Sequence, residues 1–283
     1  MPNKLSLAIV NDHHKPTPNL LNILKEANIE HDGTLQSILV ETQKAWLRPA
    51  DKERWETHTV LPLANDNLQS LLEDLYLVHS IKPSNKHYDH ALLLGGTIID
   101  VRNRLAYLIT LWNSGVLFDS IVVLAGERLL DTTIESSKLL LTCNHTTLSF
   151  NKNWQFNGQL PQTETEMMKM VFDQTDIPTA WNTIPIIFVN TPMQKTENDS
   201  LRRPNTRDTI NAWLQIFNPQ SKSIIAISNQ PFIGYQDAVL RNTLPKNFSV
   251  ETVGCANLDN ETTQIILDSL ARWIYHEYQI SLS

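Results

Sequence analysis

An α/β fold is predicted: a Rossmann-like, doubly wound and mostly parallel sheet over residues 86–283, with an added helical section over residues 1–85 packed on that core. Three observations predict it. Mostly apolar runs of strand length recur at 91–94, 120–125, 184–190 and 223–228, as expected of strands buried on both faces, and a last strand is read from about Phe248 to Val253. Helical patterns separate them, so strand and helix alternate in order. Glycine is scarce, 8 in 283 residues where a usage of ~7% would give roughly 20, yet Gly95, Gly96, Gly115 and Gly126 all fall within one strand–helix–strand unit.

The first section opens after Pro16 and Pro18 with Leu20, Leu21, Ile23 and Leu24, continues with Leu35, Ile38, Leu39 and Val40 at helical spacing before Trp46, and ends with Leu71, Leu72, Leu75 and Val78. Lys82-Pro83-Ser84-Asn85 reads as its exit. The run 91–94 then meets Gly95-Gly96, a helix is predicted over 101–113 and stopped by Ser114-Gly115, and the run 120–125 ends at Gly126, completing a βαβ unit. Further helices are predicted over 164–174, 206–217 and from about 231, each leading to a strand, and a last helix over 262–278 presents Ile265, Ile266, Leu270, Trp273 and Ile274 on one face. Two insertions interrupt the alternation, near 128–162 and 191–205; such segments either cover a site or carry no chemistry.

Composition narrows the classes. With 41% hydrophobic and 19% charged residues and a net charge of -7, the chain is neither disordered nor basic enough for broad nucleic-acid binding. No cationic leader and no 18-residue apolar run is present, so no membrane span and a cytoplasmic location are expected, export by a route without a cleavable signal staying open. Cys143 and Cys255, the only cysteines, exclude a cysteine zinc cluster, and no metal is expected. His13-His14 and His87/His90 lack a ligand set of recognised spacing.

In open parallel sheets ligands bind beyond the carboxyl ends of the strands. That rule brings together Gly95-Gly96-Thr97, Gly126-Glu127-Arg128, Asn190-Thr191 and Ser228-Asn229-Gln230. The glycines either let backbone N–H groups approach a ligand or simply turn the chain. Arg102 and Arg104, expected in the first turn of their helix, would oppose its dipole there and so suit an anion; Arg202 and Arg207 suit either an anion or solvent. Glu127 and Glu164 form a candidate acid/base pair, and Glu164 alternatively serves its helix N-terminus.

Leu93-Leu94-Gly95-Gly96, the helix from Arg104 to Gly115, and Ile121 to Gly126 together resemble the opening of the YdcF-like family, the SanA- and ElyC-related bacterial domains of unknown function. Thr163-Glu164-Thr165 followed by Ile177-Pro178 is similar to the family's S-E-A segment and its G-[VI]-P turn, with Asp176 in place of the glycine. Arg203-Pro204-Asn205-Thr206-Arg207-Asp208-Thr209 matches its S-x-N-T-x-E-N segment in part, while the histidine of its T-S-x-x-H segment has no counterpart after Ser228. The resemblance spans about 89–255 and implies a Rossmann-like domain with a polar pocket for a nucleotide-like ligand such as S-adenosylmethionine. Gly95, Gly96, Arg104, Glu164, Asn205 and Thr206 match, and Asp208 is a conservative replacement.

The expectation is therefore a soluble pocket protein binding a nucleotide-like or phosphorylated small molecule. Glu164 and Glu127 are its acid/base candidates; Gly95, Gly96, Thr97, Arg104, Gly126, Asn205, Thr206, Asp208, Ser228 and Asn229 are its ligand-binding candidates; whether it is an enzyme stays open, and if chemistry occurs it is hydrolysis or group transfer. The alternative is a non-catalytic interaction protein with a degenerate pocket, meeting a protein partner through residues 1–85 and the insertions.

Overall fold

Threonine, serine and asparagine caps set the helix boundaries in the computed structural model, which describes residues 6–49, 66–142, 148–220, 223–256 and 263–283. Cys143 lies outside them. The chain forms two units, one from Met1–Ile81, Asn229–Asn242 and Cys255–Ser283, the other from Lys82–Ser228 and Thr243–Gly254.

The first unit is helical. After α1 (Ser6–Ile9), Thr17 caps α2 (Pro18–Glu26) by accepting from Leu20 N, with Pro18 in the first helical position where its missing N–H costs nothing. Thr34 caps α3 (Leu35–Trp46) in the same way, and α4 spans Asp66–Asp74.

In the second unit β1 (His87–Leu94) leads into α5 (Ile98–Asn113) and β2 (Leu117–Gly126). The helix starts three residues before the pattern predicted, because Thr97 and Asp100 form a capping box: the Thr97 hydroxyl accepts from Asp100 N while the Asp100 carboxylate accepts from Thr97 N. Arg102 and Arg104 consequently lie beyond the first turn, and both are 1% exposed; the expectation that they sit in the first turn, opposing the dipole beside an anion, is corrected. The insertion then contributes α6 (Ser137–Leu141). Next come α7 (Glu164–Gln174), a short 3-10 helix (Thr179–Thr183), β3 (Ile186–Thr191), the hairpin pair β4 (Gln194–Lys195) and β5 (Leu201–Arg202), α8 (Thr206–Phe217) and β6 (Ser223–Asn229). After α9 (Ile233–Thr243) of the helical unit, β7 (Ser249–Cys255) completes the sheet, and α10 (Thr263–Ser281) returns to the helical unit.

The five long strands make an all-parallel sheet in the order β3-β2-β1-β6-β7. Ala91 to Leu94 pair with Ile121 to Leu124, and those with Ile186 to Val189, so apolar side chains stand in register across the sheet. Helix α5 packs on β1 and α7, α7 on β2 and β3, and α8 on β2 and β3. The strand order reverses between β1 and β6, the topological switch point of a doubly wound sheet.

Within the helical unit Leu20, Ile23, Leu24, Ile38, Trp46 and Leu72 share one core with Ile233, Ala238, Leu267, Leu270 and Trp273. Each of the leucine and isoleucine side chains contributes about 1.5–3 kcal/mol when fully buried. The first four helices therefore close their core only with α9 and α10. Among the described residues no helix is long and apolar enough to cross a membrane.

Candidate functional site

At the carboxyl ends of β1 and β2 the turn residues are held by side chains of the chain itself. Glu164, at the first position of α7, aims its carboxylate back at β2, where Gly126 N donates to Oε2 at 3.1 Å. A Cβ on Gly95 would sit 2.9 Å from Glu164 Oε1 and 2.9 Å from Leu124 O, and one on Gly126 would sit 2.3 Å from Pro204 Cγ. These two positions need glycine for close approach, and what approaches is protein.

The basic residues are committed in the same way. Arg104 Nη1 donates to Leu94 O at 3.0 Å and to Gly95 O, so it stitches the end of β1 from below. Arg128 grips Glu135 with both arms of its fork, at 2.6 and 2.9 Å, donates to Gly96 O at 3.0 Å and lies 3.6 Å from Glu164 Oε1. Such bidentate pairing in a buried setting fixes geometry as well as charge. Glu135, from the insertion, is 4% exposed.

Burial pushes the Glu164 carboxyl above its usual range; Arg128 pulls it back, the Glu135 charge raises it again, and the Gly126 N–H and Arg104 lower it, with the upward direction prevailing. A carboxyl that holds its proton more tightly folded than unfolded adds stability as the pH falls through its folded value, and that stability is lost as the pH rises through it. Glu164→Gln keeps an acceptor for Gly126 N and removes the titration. The expected result is a melting-temperature difference between variant and parent that shifts in favour of the variant as the pH rises above the usual carboxylate range; a difference independent of pH would refute it.

Glu127, the other acid/base candidate, faces a groove of about 530 Å³ at the ends of β2 and β3. It accepts from Asn190 Nδ2 at 3.0 Å, and the Thr165 hydroxyl lies 2.6 Å from Asn190 Oδ1 and 3.1 Å from Gly126 O. Leu129, Met193 and Leu201 supply the apolar lining, Leu129 at 72% and Leu201 at 61% exposure.

The remaining candidates are placed as follows. Thr97 caps α5. Asn205 caps α8 by accepting from Asp208 N at 3.1 Å, and Asp208 accepts from Asn205 N at 2.8 Å and from both arms of Arg202. Burial raises the Asp208 carboxyl, but Arg202 and the Asn205 N–H outweigh it and hold it below its ordinary value. Thr206 is the first residue of α8, following Pro204, which covers Gly126. Ser228 and Asn229 are buried at the end of β6, Ser228 in the sheet unit and Asn229 in the helical one.

The structure thus brings Gly95, Gly96, Arg104, Gly126, Glu127 and Glu164 together. It adds Arg128 with Glu135, and Thr165 with Asn190. The sequence singles out Arg128 and Asn190 only as strand-end residues, and no local pattern points to Glu135, whose role depends on the fold of a long insertion. His90 Nδ1 lies 2.7 Å from Ser120 Oγ and its ring packs edge-on against Trp213, while His87 pairs with Asp119. Among the described residues no group of three His, Cys, Asp or Glu side chains is placed to hold a metal ion. No protein-family model matches the chain, and no curated protein matches it.

Proposed function

We propose that the chain is a YdcF-like small-molecule-binding protein whose ligand is nucleoside-like and carries no phosphate at the glycine turn, with S-adenosylmethionine as the representative ligand. One observation carries this reading: the Gly126 amide, the donor an anionic ligand would take, already serves the Glu164 carboxylate. Arg104 and Arg128, the cations beside it, are engaged by backbone carbonyls and by Glu135 and Glu164. A phosphate there would displace one carboxylate and face another, which is electrostatically costly in a buried setting. The groove beside Glu127, Thr165 and Asn190 instead offers apolar walls for a base and carboxylate and amide groups for a cationic or hydroxyl-bearing portion. In a hydrolytic or group-transfer step Glu127 is the accessible acid/base group and Glu164 holds Arg128 and the β2 turn in position.

Calorimetry tests it with S-adenosylmethionine, ATP and glucose 6-phosphate. Binding of S-adenosylmethionine is expected, weakened about tenfold or more, ~1.4 kcal/mol, by Glu127→Ala and by Asn190→Ala, with neither phosphorylated compound competing. Absence of binding, or binding unchanged in both variants, would overturn the assignment.

A second reading, a non-catalytic interaction protein, is favoured by the filling of the Gly95, Gly96 and Gly126 turns with Glu164, Arg104 and Pro204. Its test uses the full chain, because the first four helices share their core with α9 and α10. Capture of a defined partner that fails when the 192–200 loop is replaced by a Gly-Ser linker, with no small molecule bound by either form, would decide for it.

A further inference from the structure

A second groove, of about 560 Å³, runs beside α7 and belongs to none of the residues assigned above to the strand ends except through Glu166 and Lys169, which line both. Its floor is one face of α7: Glu166, Lys169, Met170 and Asp173 recur at i, i+3, i+4 and i+7. Its wall is the segment 151–162, which is tied down at both ends. At the C-terminal end of α7, Asn151 N donates to Gln174 O at 2.7 Å and Phe150 bridges Thr175; at the N-terminal end, Gln162 N donates to Glu166 Oε2 at 2.7 Å. The segment therefore runs the length of the helix in the opposite direction.

What the wall presents is unusual for a surface loop. Trp154 stands edge-on to Phe150 at 5.9 Å between ring centroids, which fixes its orientation, and Phe156 is 41% exposed. Between and beyond these rings come Gln155, Asn157 and Gln159, whose side-chain amides make no hydrogen bond among the described residues, and Asp173 on the floor has no ion-pair or hydrogen-bond partner among them either. Burial alone raises the Asp173 carboxyl above its ordinary value. The exposed Phe156 ring leaves apolar surface in contact with water, and the Asp173 carboxylate beside it is open to an incoming donor.

Aromatic rings, planar amides and a carboxylate lining one groove are the groups that meet a ring bearing adjacent hydroxyls and an apolar face. Lys169 and Asp173 carry opposite charges, and Glu166 is engaged by the backbone N–H groups of Gln162 and Thr163, so the groove selects no strongly charged ligand. We propose that this groove is a saccharide site, taking a short neutral oligosaccharide with a pyranose ring stacked on Trp154 and Phe156 and its hydroxyls met by Asp173 and the Gln155, Asn157 and Gln159 amides. The assignment stands independently of the nucleoside reading.

The test is calorimetry of the full chain against maltotriose, cellotriose and chitotriose, with a proline-rich peptide as the competing class. At least one trisaccharide is expected to bind with Kd below ~1 mM, and Phe156→Ala and Asp173→Ala are each expected to weaken it by about tenfold or more, as removal of a stacking platform or of a charged hydrogen-bond acceptor does. Trp154→Ala should do the same; because Trp154 also packs on Phe150, the exposed Phe156 gives the reading if that variant unfolds. No binding of any of the three at ~10 mM, binding that survives both Phe156→Ala and Asp173→Ala, or binding of the peptide instead, would overturn the proposal.

Discussion

Arg241→Met is expected to lower the stability of the protein by about 3–5 kcal/mol, the range for stripping the cation from a buried ion pair, read as a fall in the midpoint of denaturant unfolding. Arg241, in α9, donates to Asp237 Oδ2 at 2.7 Å and reaches Glu277 of α10. The two carboxylates are 0% and 1% exposed, and Glu277 also accepts from the indole N–H of Trp273 at 3.0 Å. Methionine fills the arginine's stem and leaves two anions in the core of the helical unit without their cation. The triple variant Asp237→Asn, Arg241→Met, Glu277→Gln keeps an acceptor for Trp273 and removes both charges; it is expected to recover most of the loss. If the single variant cost less than about 1 kcal/mol, the value for an exposed pair, the cluster would not be the buried keystone its geometry indicates.

Arg102→Lys comes next, with an expected loss of about 2–4 kcal/mol from several buried acceptors left unpaired. The guanidinium donates to Leu139 O at 2.9 Å, Leu140 O at 2.7 Å, Thr142 O at 3.1 Å and Gln174 Oε1 at 3.1 Å, and it lies 5.2 Å over the Phe150 ring. The carbonyls belong to the end of α6, where no intrahelical donor exists for them. A flat fork spans these acceptors from one point on α5; an ammonium group cannot. Hydrogen exchange distinguishes this from a general loss of stability, because amides of 137–142 should lose protection ahead of those in β1 and β2. Uniform loss of protection would place the role of Arg102 elsewhere.

Where local chemistry decides structure, the sequence was readable. Helices α7 and α8 begin and end where their patterns predict, because Thr163 and Asn205 are strong caps with an acid three residues into the helix. The parallel strands were visible as apolar runs for the same reason, since burial on both faces removes the alternation. The start of α5 lies three residues earlier than predicted although its signal, Thr97 with Asp100, is of the same kind. That shift changed the site reading, because it moved Arg102 and Arg104 out of the first turn and into the body of the helix, where both are buried. Asn205 and Asp208, singled out by the family resemblance, have their polar atoms on each other's backbone and on Arg202. Glu135 and the groove beside Trp154 were not legible, since both depend on how a long insertion is pinned to α7 by backbone hydrogen bonds that any sequence can make.

The helical unit is gathered from three separate stretches of chain, and this bears on how the protein is made. Gln43 donates to Ala271 O across 228 residues, so α2 and α3 leave the ribosome long before α10, the helix that completes the core around Leu20, Ile23, Leu24 and Ile38. Strands β1 to β3 meet their partners far sooner. Exposed apolar surface during such a delay is what recruits chaperones and seeds aggregation. Chains that lack α10 should thus be found in the insoluble fraction even when their sheet segment is intact, and codon changes that delay synthesis of α10 should lower yield without altering the finished fold.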